Sequence, residues 1–200
     1  MGKLIMVRHG ESEGNAIRRF TTSGEAKITD LGRRQANEAA VRIKLKFKPT
    51  LVIASTFARA RETGRIIADH LGIPIEYEAE FREMSLGDLA GLPYESIAND
   101  PTFDPKRSWV WRAPNGESHE DVRARVAPVL DRVAKKHSDD EIVIVSHGGV
   151  MRSVWAHVTG KWEDAHVPPN CGIFVIEYEG GRYRDPEVVY GETPAAESGG

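Results

Sequence analysis

The chain has 200 residues, which suits one domain with a substantial core. Its 27 basic and 30 acidic residues give a formal charge of −3 and lie mixed along the chain, which argues against nucleic acid or an anionic membrane as partner. Cys171 is the only cysteine, so an internal disulfide and a cysteine-based metal site are excluded. We therefore expect a small-molecule ligand and a reducing, cytoplasmic location.

The chain reads as one domain over residues 1–191 with a short tail. Residues 192–200, "ETPAAESGG", are small and polar without periodicity, and we expect them to be disordered. The apolar run from Leu4 to Val7 is too short for a secretory leader, and no run approaches the ~20 apolar residues of a membrane span.

Short apolar runs alternate with amphipathic segments along the chain. The predicted strands are 3–7, 50–55, 74–78, 141–146 and 171–179, followed by an edge strand, "RYRDPEVVY", at 182–190. The predicted helices are 29–47, 57–71, a long helix opened by the capping box of Ser118 and Asp121, and 148–160. We expect Leu31 to face the core and Pro128 to kink or break the long helix.

This alternation predicts the α/β class. The expected architecture is a three-layer α/β/α sandwich around a mostly parallel sheet, with an antiparallel strand near one edge. Ligands of such sheets bind beyond the carboxyl ends of the strands.

Three strand ends carry polar groups that could meet at that edge. They are Arg8-His9-Gly10, then Ser55-Thr56 with Arg59 and Arg61 shortly after, and Ser146-His147-Gly148-Gly149. Any one of these groups alone would be typical of a surface or packing residue. Two apolar runs that each end in His-Gly favour a functional site.

The chemistry of these groups matches a phosphate monoester. Arginine forks pair with phosphate oxygens, and the helix that starts at Gly148 offers backbone N–H groups to an anion. Neighbouring guanidinium groups favour the neutral, nucleophilic form of His9, and a bound dianion could protonate His147.

A metal-dependent hydrolase is the competing hypothesis for this edge. Residues His9, Glu11, Glu83 and His147 could hold a divalent ion, but the flanking arginines would repel a cation. We therefore expect no metal and no cofactor.

Five motifs in order resemble those of the histidine phosphatase superfamily, in its phosphoglycerate mutase-like branch. They are "VRHGESEGN" (7–15), "STFARARET" (55–63), "FREMSLGDLAG" (81–91), "PNGES" (114–118) and "IVSHGG" (144–149). The resemblance spans residues 3 to about 179.

The resemblance implies a role for individual residues. His9 corresponds to the nucleophile that becomes phosphorylated, and Glu83 to the proton donor for the leaving oxygen. The phosphate pocket corresponds to Arg8, Asn15, Arg59 and His147, with Gly148 as a further binding residue. Thr63 and Ser146 are expected to bond to nearby backbone, and Arg61 to face elsewhere. The remaining histidines are expected at the surface or in packing: His70, His119, His137, His157 and His166.

Several alternatives remain open in the sequence. A phosphatase on a small phosphorylated metabolite is favoured over a bisphosphate-dependent mutase and over a non-catalytic phospholigand-binding module; dephosphorylation of a phosphopeptide also stays open. Residues 84–115 either cover the end of the sheet or form an apolar wall for the substrate. Arg18 and Arg19 either bind a second acidic group or lie on the surface, and a homodimer is also left open.

Overall fold

The computed structural model describes residues 1–21 and 24–191. Its strands are β1 (Gly2–Arg8), β2 (Leu51–Ser55), β3 (Ile75–Glu78), β4 (Glu141–Ser146), β5 (Ile173–Glu179), β6 (Arg182–Tyr183) and β7 (Glu187–Tyr190). Its α-helices are α1 (Glu13–Ala16), α2 (Asp30–Lys46), α3 (Ala58–Leu71), α4 (His119–Lys136) and α5 (Gly148–Thr159). The expected tail at 192–200 lies outside the described residues.

The strands form one sheet in the order β3-β2-β4-β1-β5-β6, and β7 also pairs with β5. Strands β1 to β4 are parallel, and β5 runs antiparallel to β1, which confirms the expected fold class. In the β1–β4 register, Arg8 pairs with Ser146. The residues that follow, His9 and His147, therefore leave the sheet side by side.

Alternate residues of the central strands pack against helices on the two faces of the sheet. Leu4 and Met6 of β1 pack with α4 and α5, whereas Ile5 and Val7 pack with α2 and α3. Burial on both faces explains why β1 and β4 are continuous apolar runs. The central strands are therefore fixed from both sides.

The helix ends follow the chemistry of the sequence. Gly72 and Gly160 end α3 and α5 in the left-handed conformation, with φ of 69° and 73°. Ser118 and Asp121 form the predicted capping box at the start of α4. These signals set three helix boundaries.

Three expectations about local structure were wrong in whole or in part. Pro128 does not break helix α4, which continues through it and packs its buried residues, Val126 and Leu130 among them, against the sheet. Leu31 is 41% exposed in the first turn of α2 instead of facing the core. The segment 182–190 forms two short strands, β6 and β7, that pair with different parts of β5.

Irregular structure covers one end of the sheet. Between β3 and α4 the chain makes four short 3₁₀ helices, at Ala79–Phe81, Gly87–Leu89, Tyr94–Asn99 and Pro105–Arg107. Among the described residues, no helix is long and apolar enough to cross a membrane.

Candidate active site

A cavity of about 340 Å³ opens at the carboxyl ends of β1 and β4. Its inner end carries groups from the strand ends and helix starts: Arg8, His9, Ser12, Asn15, Arg59, Glu83, Gly148 and Gly149. Its outer part is lined by Arg19, Phe20, Thr21, Met84, Leu86, Tyr94, Ile97, His119, Arg152 and Val167. We call the first set the phosphate end and the second the outer wall.

His9 presents its Nε2 atom to the cavity. Its Nδ1 lies 2.7 Å from the Gly10 carbonyl oxygen, which can only accept, so Nδ1 carries the proton in the neutral ring. Arg59 Nε donates towards His9 Nε2 at 3.3 Å. Burial, then the charges of Arg59 and Arg8, lower the pKa of His9 well below 6.5, although the bond to Gly10 opposes this shift. At neutral pH, His9 is a buried, neutral imidazole whose Nε2 lone pair accepts the long hydrogen bond from Arg59.

Two arginines flank His9. Arg59 is 2% exposed near the start of α3; burial lowers its pKa, while the carboxylate of Glu83 acts in the opposite direction. Arg8 donates from Nη1 to the Pro168 carbonyl at 2.9 Å, and its buried Nε has no hydrogen-bond partner within the described part of the chain. Both guanidinium groups line the cavity, where an anion could bind.

Thr63 joins the helix of Arg59 to the turn of His9. Its hydroxyl donates to the Arg59 carbonyl at 2.7 Å and accepts from the Gly10 N–H at 3.0 Å. Similarly, Ser146 donates to the Phe81 carbonyl at 2.8 Å. These two hydroxyls bond to backbone near the site, as the sequence predicted.

His147 is fully buried beside His9, with the ring centroids 5.1 Å apart. Its Nε2 lies 2.8 Å from the hydroxyl of Ser55, and its Nδ1 has no partner among the residues described. Burial, then the charge of Arg59, lowers the pKa of His147 well below 6.5. An anion bound at the phosphate end would favour its protonation.

Glu83 lies at the N-terminus of α5. Its Oε1 accepts hydrogen bonds from the Met84 N–H at 2.8 Å and the Gly149 N–H at 3.1 Å. A Cβ atom on residue 149 would lie 2.5 Å from this oxygen, so Gly149 leaves the space that the carboxylate occupies. The glycine and the carboxylate are therefore fitted to each other.

Arg125 of α4 holds the loop that carries Glu83. Its Nη2 donates to the carbonyls of Arg82 at 3.0 Å and Glu83 at 3.3 Å, and its Nη1 to the carbonyl of Glu80. Glu117 accepts from Arg125 Nε at 2.7 Å and from the Ser85 N–H at 2.9 Å. This partly buried pair is a positioning element that the sequence analysis missed, because the bonds of Arg125 to the three carbonyls cross more than forty residues of chain.

Asn15 belongs to the short helix α1, which was not predicted. Its Oδ1 accepts from the Ser12 N–H at 3.1 Å and from Asn170 Nδ2 at 3.1 Å, while its Nδ2 donates to the Tyr94 hydroxyl at 2.9 Å. Asn170 also donates to the His9 carbonyl at 2.9 Å. Asn170 therefore connects two residues that the sequence placed in the phosphate pocket.

The outer wall takes only part of the aromatic segment 84–115. Leu86, Tyr94 and Ile97 line the cavity. Phe103 instead packs edge-on against Trp111, with the ring centroids 5.3 Å apart. The ring of Trp109 is parallel to that of Trp162, with the centroids 6.2 Å apart. One part of the segment thus lines the cavity, and another part packs in aromatic pairs away from it.

Four arginines outside the phosphate end, three of them named from the sequence, differ in their surroundings. Arg18 pairs with Glu95 at the surface, and Arg61 lies over the Tyr77 ring. Arg19 lines the cavity, where its Nη1 donates to the Gly91 carbonyl at 2.8 Å. Arg152, which the sequence analysis did not consider, lines the same wall.

His119, expected at the surface or in packing, has its ring beside Trp162, with the ring centroids 6.2 Å apart. It lines the cavity, and its buried Nδ1 lacks a hydrogen-bond partner among the described residues. Burial, then the charge of Arg152, lowers the pKa of His119 to about 4. No local sequence pattern predicts this placement, because the position of His119 depends on how α4 packs against α5.

Cys171 lies behind the phosphate end. It has a φ of 56°, is fully buried, and its N–H donates to the Arg8 carbonyl at 3.0 Å. Burial raises the pKa of its thiol to about 12. In the described ranges, no group of three or more His, Cys, Asp or Glu side chains could hold a metal ion.

The chain matches one protein family over nearly its whole length. The model of the histidine phosphatase superfamily (branch 1) matches residues 4–187. Phosphoglycerate mutase-like protein 4 of Arabidopsis thaliana is 34% identical over 159 residues, covering 76% of this chain and 69% of that protein.

Two further relatives have phosphatase names. The glucosyl-3-phosphoglycerate phosphatase of Mycolicibacterium vanbaalenii is 32% identical over 171 residues, covering 79% of this chain and 74% of that protein. The native structure of the mycobacterial glucosyl-3-phosphoglycerate phosphatase superposes with a TM-score of 0.81 at 26% identity, covering 95% of this chain and 99% of the other.

Proposed function

The chain belongs to the histidine phosphatase superfamily, and from this premise we propose that it hydrolyses a small phosphorylated metabolite through a phosphohistidine intermediate, without a metal. One observation carries the proposal. The unprotonated Nε2 of His9 faces a cavity between the guanidinium groups of Arg8 and Arg59. A nucleophile and two cations for the phosphoryl oxygens thus converge on one point.

The first half-reaction transfers the phosphoryl group to His9. Arg8, Arg59 and the N–H of Gly148 at the start of α5 hold the phosphoryl oxygens. Nε2 of His9 attacks phosphorus as the bond to the ester oxygen breaks, and Glu83 gives its proton to that leaving oxygen. His147, protonated when the dianion binds, stabilises charge on the phosphoryl oxygens.

The second half-reaction returns the enzyme to its starting state. The Glu83 carboxylate takes a proton from water, whose oxygen attacks phosphorus as the P–N bond breaks. Inorganic phosphate leaves, and His9 regains its lone pair. The two backbone N–H groups that bind Glu83 Oε1 keep the carboxyl group in place for both steps.

A mutase is the second candidate, favoured by the name of the Arabidopsis relative. In a mutase the phosphoryl group on His9 returns to a neighbouring hydroxyl of a retained intermediate before water reaches it. The inner site is the same for both reactions. The choice therefore depends on the outer wall and on how long it retains the intermediate.

The test is phosphate release in EDTA from a panel of monoesters: an aryl phosphate, phosphoserine, a phosphopeptide, sugar phosphates, nucleotides and 3-phosphoglycerate. We expect rapid release from at least one class. Release that needs an added divalent metal would overturn the metal-free mechanism. If no ester releases phosphate, and the protein interconverts phosphoglycerates after priming with the bisphosphate, the mutase is established instead.

A cytoplasmic location and a homodimer also belong to this proposal. The single, buried Cys171 suits a reducing compartment. Cell fractionation and light scattering of the purified protein test these two points.

A further inference from the structure

Residues 168–172 form a loop that binds Arg8 and His9 where the chain leaves the sheet. The antiparallel pairing of β1 with β5 ends at Val7 and Ile173. Beyond this point the ladder no longer holds the chain on the β5 side. Arg8 and His9 therefore take their partners on that side from the 168–172 loop.

The loop binds Arg8 and His9 through both its backbone and one side chain. The Cys171 N–H donates to the Arg8 carbonyl at 3.0 Å, and the Pro168 carbonyl accepts from Arg8 Nη1 at 2.9 Å. The side chain of Asn170 donates from Nδ2 to the His9 carbonyl at 2.9 Å. Cys171 has a φ of 56°, a strained conformation for a residue other than glycine, and such strain persists only where surrounding contacts fix it. The loop is thus fastened to the proposed nucleophile and its neighbour.

The amide of Asn170 has its orientation fixed by its partners. The His9 carbonyl oxygen can only accept a hydrogen bond, so the atom that faces it must be Nδ2. The same Nδ2 donates to Oδ1 of Asn15 at 3.1 Å, so both of its hydrogens are used. Asn170 does not itself line the cavity. Any effect of Asn170 on a bound substrate is therefore transmitted through His9 and Asn15.

Asn15 is oriented in part by its bond to Asn170. Its Oδ1 also accepts from the N–H of Ser12 at 3.1 Å and from the hydroxyl of Ser12 at 3.0 Å. The amide would lose these bonds if it turned over, so its Nδ2 is directed at Tyr94 in the cavity wall, to whose hydroxyl it donates at 2.9 Å. The second hydrogen of Asn15 Nδ2 can then be donated to a phosphoryl oxygen.

We propose that Asn170 is a positioning residue for phosphoryl transfer, which holds the carbonyl of His9 and turns the amide of Asn15 so that its N–H groups face the phosphoryl group. The inference rests on the proposed function. Because one nitrogen atom binds both residues, it fixes the nucleophile and a phosphate-binding donor relative to each other. A displacement near 1 Å between reacting groups can cost about 100-fold in rate.

The test follows nitrophenol release from nitrophenyl phosphate with the enzyme in excess. The rate constant then reports the formation of phosphohistidine, and the amplitude reports the fraction of competent protein. In Asn170→Ala we expect the rate constant to fall by about 10- to 100-fold while the amplitude is kept. A role in folding alone would lower the amplitude or the Tm and leave the rate constant unchanged, and that result overturns the proposal.

A second variant separates the hydrogen-bond donors of Asn170 from its shape. Asn170→Asp keeps the shape but places an acceptor where the two partners need a donor, so its rate constant should be at least as low as that of Asn170→Ala. A wild-type rate constant in Asn170→Asp overturns the proposal. Asn37→Ala is the matched control, because Asn37 donates to the Arg33 carbonyl on the exposed side of α2. Its rate constant should stay within about twofold of the wild type.

A double-mutant cycle tests whether Asn170 acts through Asn15. Part of the loss in Asn170→Ala should disappear when residue 15 is already alanine. The double variant should therefore be faster than the product of the two single losses predicts, by about 3- to 10-fold. Fully additive losses overturn the proposal.

A binding measurement separates this inference from the proposed function. If the wild type releases phosphate from no monoester, the proposed function fails. The calorimetric Kd for inorganic phosphate then decides the role of Asn170. A Kd that rises by about 3- to 10-fold in Asn170→Ala supports that role, since one oriented hydrogen bond is lost. Equal Kd values in the wild type and the variant overturn it, and so does a wild type that does not bind phosphate.

Discussion

The phosphate end and the outer wall are built in different ways. The β1–β4 register and the N-termini of α3 and α5 position His9, Arg59 and the glycines of the inner site. The outer wall depends on loop-to-loop bonds, such as Phe20 N–H to the Leu92 carbonyl at 2.9 Å and Gly91 N–H to the Phe20 carbonyl at 2.7 Å. The regular framework thus holds His9 and Arg59, whereas irregular chain carries Glu83 and forms the surface that meets the rest of the substrate.

The largest effect should follow from removing the nucleophile at the phosphate end. His9→Ala is expected to lower kcat by at least about 10⁴-fold, because no lone pair then faces phosphorus. Rapid-quench trapping should find acid-labile protein-bound phosphate in the wild type and not in the variant. The control is His157→Ala, a change at a histidine beside Asp131 outside the cavity. Substantial turnover by His9→Ala would contradict the proposed mechanism.

A smaller but still large effect is expected from one methyl group at the start of α5. In Gly149→Ala the new Cβ would lie 2.5 Å from Glu83 Oε1 and 3.2 Å from Met84 Cβ, so the carboxylate must move. A displacement near 1 Å can cost about 100-fold in rate. We expect kcat to fall on that order while phosphate still inhibits competitively. An unchanged kcat would show that the position of Glu83 does not limit the reaction.

Arg125 should affect the rate in a way that depends on the leaving group. Arg125→Met loosens the loop of Glu83, so we expect about a tenfold loss for alkyl phosphates, whose leaving oxygen needs a proton, and less for nitrophenyl phosphate. Arg132→Met is the control on the same helix, since Arg132 pairs with Glu78 at the surface. Equal losses for both ester types would make Arg125 a purely structural residue.

The smallest expected effect is the pH dependence of the free energy of unfolding. It involves histidines of both the phosphate end and the outer wall. The pKa values of His9, His147 and His119 are lowered in the folded chain, so the unfolded chain binds these protons more tightly. The free energy of unfolding should therefore decrease as the pH falls below 6.5, by at most about 1.4 kcal/mol per pH unit for each histidine. His119→Gln should reduce this slope between pH 6.5 and 4, as measured by urea denaturation at several pH values. An unchanged slope would contradict the shift at His119.

The phosphate end could be predicted from the sequence because its signals are local. The runs before Arg8-His9 and Ser146-His147 identify buried strands, and parallel strands deliver the residues that follow to one edge. The glycines after α3 and α5 mark helix ends for a similarly local reason. Fold class and the relative placement of these groups followed from such signals.

The outer wall could not be predicted in the same way. The 3₁₀ segments at 79–107 have no periodicity that distinguishes them from coil. Arg152 and His119 meet through the packing of α4 against α5, and Arg125 reaches carbonyls more than forty residues earlier. The break considered at Pro128 does not occur, because the packing of α4 outweighs the hydrogen bond that proline removes.

The placement of Cys171 has a consequence for the response to oxidants. A thiol with a pKa of about 12, closed into the core behind β1, has almost no thiolate at physiological pH. Peroxide and iodoacetamide act on thiolates, and the group proposed to react with phosphorus is an imidazole. We therefore expect turnover to persist at peroxide concentrations that inactivate phosphatases with a catalytic cysteine.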